Sequence, residues 1–229
     1  MQAKPHIDRR YEDELRELRR RVLEMGGFVE KQIADAMRAL VERNVKEAEK
    51  IIERDHIVNR MDVEIDEMCL RLLALHQPAA RDLRLITTAL KINADLERAG
   101  DMAQNICERA MELSLEPQLK PYVDLPRMAR MTQEMLQDSL NAFVREDVEL
   151  ALRVCRADAA VDALMEQIFR ELISYMVEDP ETISRAMRVI FISKYLERVA
   201  DHATNISEMV VFMVKGKSIR HLEEPPSDL

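Results

Sequence analysis

Two acidic phrases contain the residues of this sequence that are best suited to chemistry. LERAGDMAQNI recurs one hundred residues later as LERVADHATNI, so that Glu97 and Asp101 are repeated as Glu197 and Asp201. Each pair is spaced i, i+4, and on a helix both carboxylates of a pair lie in one row. Like charges at this spacing repel each other by roughly a few tenths of a kcal/mol. Their repetition therefore indicates that the charges have a function.

A second row of oxygen-bearing side chains is repeated in the same way. Asp55 and Asn59 align with Asp158 and Asp162, again at i, i+4. The first copy has two further aspartates in this row, Asp62 and Asp66. If the two helices of each copy are antiparallel, the rows face each other and present four oxygen-bearing side chains per copy. Carboxylate and amide oxygens without cysteine suit hard cations such as Mg²⁺, Ca²⁺, Mn²⁺ or iron.

The rows therefore predict metal binding, and zinc is not distinguished from the other ions. The candidate ligands are Asp55, Asn59, Glu97, Asp101, Asp158, Asp162, Glu197 and Asp201. Two simpler interpretations stay open, a solvated acidic surface and a helical scaffold without metal. Arg98 and Arg198 are also repeated and would offset part of the repulsion. His56 and His202 adjoin the rows but do not recur, which favours a structural role for both.

The elements that carry these rows are predicted to be helices. The 229 residues include only 4 Gly and 8 Pro, and strong helix formers dominate. Helical patterns, separated by turn signals, run over about 8–43, 45–76, 79–113, 126–145, 147–178 and 180–215. Gly26-Gly27 predicts a bend or a close helix contact in the first helix. Asp179-Pro180 predicts the start of the sixth helix, with Asp as N-cap.

The chain is a tandem duplication. Residues 41–59 align with 144–162 at an offset of 103, whereas the acidic phrases align at 100. The second copy is therefore three residues shorter, most simply at its second helix–helix turn. The predicted fold class is all-α, two three-helix bundles related by a pseudo-twofold axis. The predicted domains are residues 1–115 and 122–217, followed by a flexible tail at 218–229.

An apolar stripe separates the core of each copy from its acidic row. The third and sixth helices have apolar residues at alternating spacings of 3 and 4, from Ala89 to Leu113 and from Val189 to Met213. Leu96 and Leu196 lie in this stripe. At 100° per residue the acidic rows lie roughly opposite it. We therefore expect the acids on an outer or flanking face.

The charge and the motifs of the sequence limit the classes of function that are possible. A formal net charge of −9 argues against nucleic-acid binding, which needs a basic face. We expect a cytoplasmic protein, because the first residues lack the apolar segment of a signal peptide and no run approaches membrane length. The sequence has no Gly-rich phosphate loop, no Gly-x-Ser-x-Gly and no paired Glu-x-x-His, so none of these catalytic motifs is present. Cys69, Cys107 and Cys155 are predicted to be reduced thiols.

Several stretches together resemble the PhoU family. They are MGGFVEKQIADA, ERDHIVNRMDVEIDE, QPAARDLRLI, the two acidic phrases, SYMVEDPETI and VKGKSIRH, in the family's order over nearly the whole chain. The resemblance implies two related three-helix bundles with outer metal sites held by Glu/Asp-x-x-x-Asp motifs. Asn59 departs from the carboxylate of that motif, which leaves the first site with one charge fewer.

The resemblance also implies a function. PhoU-like proteins are negative regulators that link the phosphate ABC transporter to a membrane sensor histidine kinase. The implied partners are the transporter ATPase, the kinase and a second copy of the chain, with no nucleic acid. The alternative is an all-α, metal-dependent nucleotide pyrophosphohydrolase, since those enzymes also hold Mg²⁺ with helical carboxylate pairs. That alternative needs a cleft with converging basic residues, whereas the acids here are predicted to face outward.

Overall fold

The fold was analysed in a computed structural model, which describes residues 6–220 and the side chains of residues 9–220. Within that part the chain forms seven α-helices and no strand. They are α1 (His6–Glu42), α2 (Val45–Glu53), α3 (Asp55–His76), α4 (Ala80–Ser114), α5 (Asp124–Arg145), α6 (Val148–Glu178) and α7 (Ile183–Lys215). The all-α prediction is confirmed, and most helix ends lie within a few residues of the predicted ones.

Two predicted boundaries are wrong. The helix predicted over 45–76 breaks at Arg54 and is two helices, α2 and α3. Asp179 does act as a cap, since its side chain accepts a hydrogen bond of 3.0 Å from the Glu181 amide. It caps a short 3₁₀ turn, Pro180–Thr182, and α7 begins only at Ile183. The Thr182 hydroxyl donates to the Tyr175 and Asp179 carbonyls and so ties the turn to the end of α6.

The Gly26-Gly27 pair marks a close helix contact. Helix α1 continues through both glycines. A Cβ atom at Gly26 would lie 2.1 Å from Leu140 Cδ1 of α5, whereas a Cβ at Gly27 would meet nothing within 4 Å. Gly26 therefore lets α1 of the first repeat approach α5 of the second.

The helices form two repeats joined along α4 and α7. The first repeat comprises α1–α4 and the second α5–α7. Helices α4 and α7 are antiparallel, because Arg84 Nε donates to the Met213 carbonyl at 3.0 Å while Arg188 pairs with Glu112 at the other end. Leu96 and Leu196 are fully buried, as the apolar stripe predicts.

The connection between α3 and α4 is not longer than the matching connection of the second repeat. Residues 77–79 separate α3 from α4, and residues 179–182, which include the 3₁₀ turn, separate α6 from α7. The placement of the three extra residues of the first copy at this turn stays a prediction from the alignment of the two copies. Ile219, within the segment expected to be a loose tail, is buried. Residues 221–229 lie outside the described part of the chain.

None of the described helices combines the length and the apolar character that crossing a membrane requires.

Candidate metal-binding clusters

The predicted acidic rows face each other across helix pairs. We call cluster 1 the side chains on α3 and α4, namely Asp55, Asn59, Asp62, Asp66, Glu97 and Asp101. We call cluster 2 the side chains on α6 and α7, namely Asp158, Asp162, Glu197 and Asp201. Each cluster lies along the seam between two packed helices. The acids are therefore on a flanking face.

Cluster 1 is held together by amide–carboxylate hydrogen bonds. Asn59 Nδ2 donates to Asp55 Oδ2 at 3.0 Å. Asn93 Nδ2 donates to Asp62 Oδ1 at 2.7 Å and to Asp66 Oδ1 at 3.0 Å. Asn93 is fully buried on α4, four residues before Glu97. Its amide fixes α3 against α4 at the point where the two rows meet.

The carboxylates of cluster 1 act on one another electrostatically. Burial, and then the neighbouring Asp101, Asp62 and Asp55, raise the pKa of Glu97, and Arg98 offsets only part of this. Burial and the charge of Asp55 raise the pKa of Asp101. Asp55 on α3 and Asp101 on α4 are thus close enough to repel each other. Without a cation, the cluster stores unfavourable electrostatic energy.

Cluster 2 repeats this arrangement with more charge. Burial, and then the carboxylates of Asp162, Asp201 and Glu197, raise the pKa of Asp158 to about 6. The pKa of Asp201 is raised by partial loss of hydration and then by Glu197, although its side chain reaches solvent. Three carboxylates from two helices therefore act on one half-buried aspartate.

Glu197 is the exception to the flanking placement. Its side chain is only 9% exposed, which an outer face does not predict. Lys194 Nζ lies 2.5 Å from Glu197 Oε1 and supplies the compensating cation. Arg98 and Arg198, the predicted cations, form no ion pair within the described residues. The first repeat has Ala94 at the position of Lys194, so cluster 1 lacks this cation.

Two buried oxygens of cluster 2 fit the chemistry of a metal site. Asp158 Oδ1 and Glu197 Oε2 are buried without a hydrogen-bond partner. An unpaired buried carboxylate oxygen is costly, and a hard cation is one partner that removes the cost. Among the described residues, no three His, Cys, Asp or Glu side chains are arranged around one ion position. Coordination would therefore require the side chains to move inward or water to complete the shell.

Histidine and cysteine lie outside these donor sets. His56 Nδ1 lies 2.6 Å from the Glu53 carbonyl, a local helix contact. His202 Nδ1 donates to Asp95 Oδ1 at 2.8 Å and so links α7 to α4. Cys69, Cys107 and Cys155 are free thiols, as predicted, and Cys155 is only half-buried. The Asp95–His202 pair was not predicted, because neither member of the pair is repeated: Tyr195 aligns with Asp95 and Met102 with His202.

A comparison with known protein families confirms the resemblance to the PhoU family. The model of the PhoU domain matches this chain twice, at residues 22–110 and 125–210. The two matches correspond to the two repeats. The chain belongs to the PhoU family. A PhoU-family relative from Pseudomonas putida, a phosphate-specific transport system accessory protein PhoU homolog, is 44% identical over 218 residues, which cover 95% of this chain and 85% of the relative.

Two solved PhoU structures have the same fold. The crystal structure of PhoU from Pseudomonas aeruginosa matches with a TM-score of 0.87 and 43% identity, and covers 90% of this chain and 100% of that one. The phosphate transport system regulatory protein PhoU from Streptococcus pneumoniae matches with a TM-score of 0.85 and 30% identity, over 91% and 99% of the two chains. The tandem three-helix architecture is therefore that of the PhoU family.

Proposed function

We propose that this chain is a non-enzymatic, cytoplasmic negative regulator of phosphate uptake and phosphate-starvation signalling. The observation that carries the proposal is membership of the PhoU family along nearly the whole chain. Relatives in this family are named as accessory and regulatory proteins of a phosphate transport system. The regulator couples the phosphate ABC transporter to a sensor histidine kinase, and it keeps the kinase inactive while phosphate is plentiful.

A large exposed apolar face supports a role in protein contact. It consists of two rows at i, i+4, i+8 on antiparallel helices, Phe169, Ile173 and Val177 on α6 and Ile183, Met187 and Phe191 on α7. Exposed apolar area of this kind is typical of surfaces that another protein covers. The relatives' names refer to the transport system, so we assign this face to the transporter ATPase. The kinase and a second copy of the chain contact other surfaces.

The two acidic clusters supply the metal-dependent part of the proposal. The ligands would be Asp55, Asn59, Glu97 and Asp101 in cluster 1, and Asp158, Asp162, Glu197 and Asp201 in cluster 2. A divalent or ferric ion would neutralise carboxylates that now repel each other, and so would stiffen the seam between the two helices. The metal's role is structural and electrostatic, with no bond-breaking step.

Affinity purification tests the partners. The tagged chain is recovered from detergent-solubilised membranes of phosphate-replete cells, and bound proteins are identified by mass spectrometry. We expect the transporter ATPase and a sensor kinase. The double variant Val177→Ser with Met187→Ser should lose the ATPase and keep the kinase. The control, Ala74→Ser with Thr87→Ser, changes the aligned positions of the first repeat and should keep both.

Two results would contradict the proposal. Recovery of neither partner by the unchanged chain would remove the adaptor role, and release of pyrophosphate from nucleotides would then favour the hydrolase alternative. Equal loss of the ATPase in both double variants would show that the apolar face of the second repeat is not its contact surface. Light scattering of the purified chain tests the homodimer, since a monomer mass would exclude it.

A further inference from the structure

A cavity at the junction of the two repeats is separate from both acidic clusters. It has a volume of about 460 Å³ and lies between α4, α7 and the segment that follows α7. Its lining consists of residues from three parts of the chain, Lys91, Ala94, Asp95, Arg98, Asn205, Glu208, Met209, Phe212, Ser218 and Arg220. The volume is within the range of small-molecule sites.

Three cations lie on the wall of this cavity. Lys91, Arg98 and Arg220 form no ion pair with another described residue. Of the two carboxylates in the lining, Asp95 is buried and already accepts hydrogen bonds from His202 at 2.8 Å and from Asn205 at 3.5 Å. With Glu208 as the second carboxylate, three cations stand against two carboxylates, so the lining has a formal charge of about +1 in a protein whose formal net charge is −9.

The remaining wall combines apolar and hydrogen-bonding groups. Met209 and Phe212 of α7 form an apolar side that includes one aromatic ring. Asn205 and Ser218 add polar groups. A cationic wall beside an aromatic and apolar wall suits a ligand that has a charged end and a flat, less polar end.

The pseudo-twofold related place in the molecule has different side chains. There Lys91 is replaced by Phe191 and Asp95 by Tyr195, and the two rings stack with centroids 6.5 Å apart. Phe212 is replaced by Glu112, which pairs with Arg109 at 2.9 Å and with Arg188 at 2.7 Å. The combination of cationic and apolar groups around the cavity is therefore a property of its own lining residues.

We propose that this cavity binds a small phosphorylated molecule of about the size of a mononucleotide. Arginine side chains recognise phosphate through paired, charge-assisted hydrogen bonds, and a phosphate monoester has roughly 1.5–2 negative charges at pH 7. Arg98, Lys91 and Arg220 contact the phosphoryl group, and the flat end packs on Met209 and Phe212. This site is independent of the proposed regulatory function.

Calorimetric titration of the purified full-length chain tests the proposal. The titrations are done with a chelator present, so that metal in the acidic clusters does not bridge to phosphate. The ligands are AMP, UMP, adenosine and inorganic phosphate. We expect at least one nucleotide to bind roughly tenfold or more tightly than either adenosine or phosphate, because only the nucleotides reach both walls. Arg98→Gln should weaken that binding by roughly tenfold or more, since it removes a charged donor.

The second repeat supplies the matched control. Arg198→Gln changes the aligned arginine, which lies outside the cavity, and should leave nucleotide affinity unchanged. Ala94→Trp should abolish binding, because its side chain would occupy the cavity. The proposal is overturned if neither nucleotide binds, if phosphate binds as tightly as the nucleotides, or if Arg98→Gln and Arg198→Gln have equal effects. Melting curves of each variant confirm that it is folded.

Discussion

The two repeats of this chain have the same core and different surfaces. Leu96 and Leu196 are equally buried, and the acidic rows on α4 and α7 recur with the same spacing. On the outer side of the same helices, however, Thr87 and Lys91 of the first repeat become Met187 and Phe191 in the second. Duplication therefore preserved the bundle and its carboxylates, whereas these outer positions diverged.

The divergence of these outer positions gives an apolar surface in the second repeat and a cationic one in the first. In the second repeat it forms the exposed apolar face that we assign to a protein partner. In the first repeat it gives a cavity with a cationic wall, where the second repeat has Phe191 and Tyr195 at the positions of Lys91 and Asp95. The difference shows that a duplicated fold acquires surfaces of different chemistry by changing a few side chains. If this is right, matched substitutions in the two repeats should have equal effects in the core and different effects on the surface.

The largest expected effect is a loss of stability on core substitution, and it should be equal in the two repeats. Leu96→Asp and Leu196→Asp each place an unpaired charge in the core and should lower the free energy of unfolding by about 4 kcal/mol or more. Ala94→Asp, at an exposed position of α4, should change it by less than about 1 kcal/mol. Chemical denaturation measures all three variants. A large difference between the two leucine variants would show that the cores are not equivalent.

The contact between the repeats at Gly26 should be sensitive to a single methyl group. Gly26→Ala places a Cβ atom 2.1 Å from Leu140 Cδ1, and such overpacking costs about 1–3 kcal/mol. Gly27→Ala meets nothing within 4 Å and should stabilise the chain by about 0.5–1 kcal/mol through helix propensity. Thermal melting distinguishes the two. Stabilisation by Gly26→Ala would mean that α1 and α5 are not this close.

Asp158 should destabilise the metal-free protein at neutral pH. Its pKa in the folded chain is about 6, above the ordinary value of 3.8. The folded state therefore binds the proton more tightly, and stability should fall as pH rises from about 4 to 6. Asp158→Asn should raise the free energy of unfolding at pH 7 by about 1 kcal/mol after allowance for solvent screening, and should have little effect near pH 4; chemical denaturation at both pH values measures it.

The aligned residue in the first repeat is the control for that prediction. Asp55 accepts a hydrogen bond from Asn59, whereas the residue aligned with Asn59 is a second carboxylate, Asp162. Asp55→Asn should therefore stabilise the chain less than Asp158→Asn. An equal effect at pH 7, or an effect of Asp158→Asn that persists at pH 4, would contradict the repulsion inferred in cluster 2.

Repetition made the fold and the acidic rows predictable from the sequence. The helices follow from composition and breakers, and the facing rows follow from i, i+4 spacing on antiparallel helices. The break at Arg54 was missed, because neither glycine nor proline marks it. Asn93 and Lys194 were missed as well, since each lies on the acidic helix but has no counterpart in the other copy.

Contacts between elements that are distant in sequence were not predictable. The helical period places Glu197 on a flanking face of α7, and it does not report how far α6 covers that face. The cavity depends on Lys91, Phe212 and Arg220, which are brought together only by the packing of α4, α7 and the following segment. The pattern of a single sequence predicts on which side of a helix a residue lies. How deeply that residue is buried depends on the packing of the other helices.

The central claim is that the repeated acidic phrases form two separate metal sites, and native mass spectrometry after loading with Mn²⁺ tests it most directly. The unchanged chain should hold metal in both repeats. Glu97→Gln with Asp101→Asn should remove the metal of cluster 1 alone, and Glu197→Gln with Asp201→Asn that of cluster 2 alone. Asn59→Asp should strengthen binding at cluster 1. An unchanged chain without bound metal, or double variants that keep the full load, would contradict the claim.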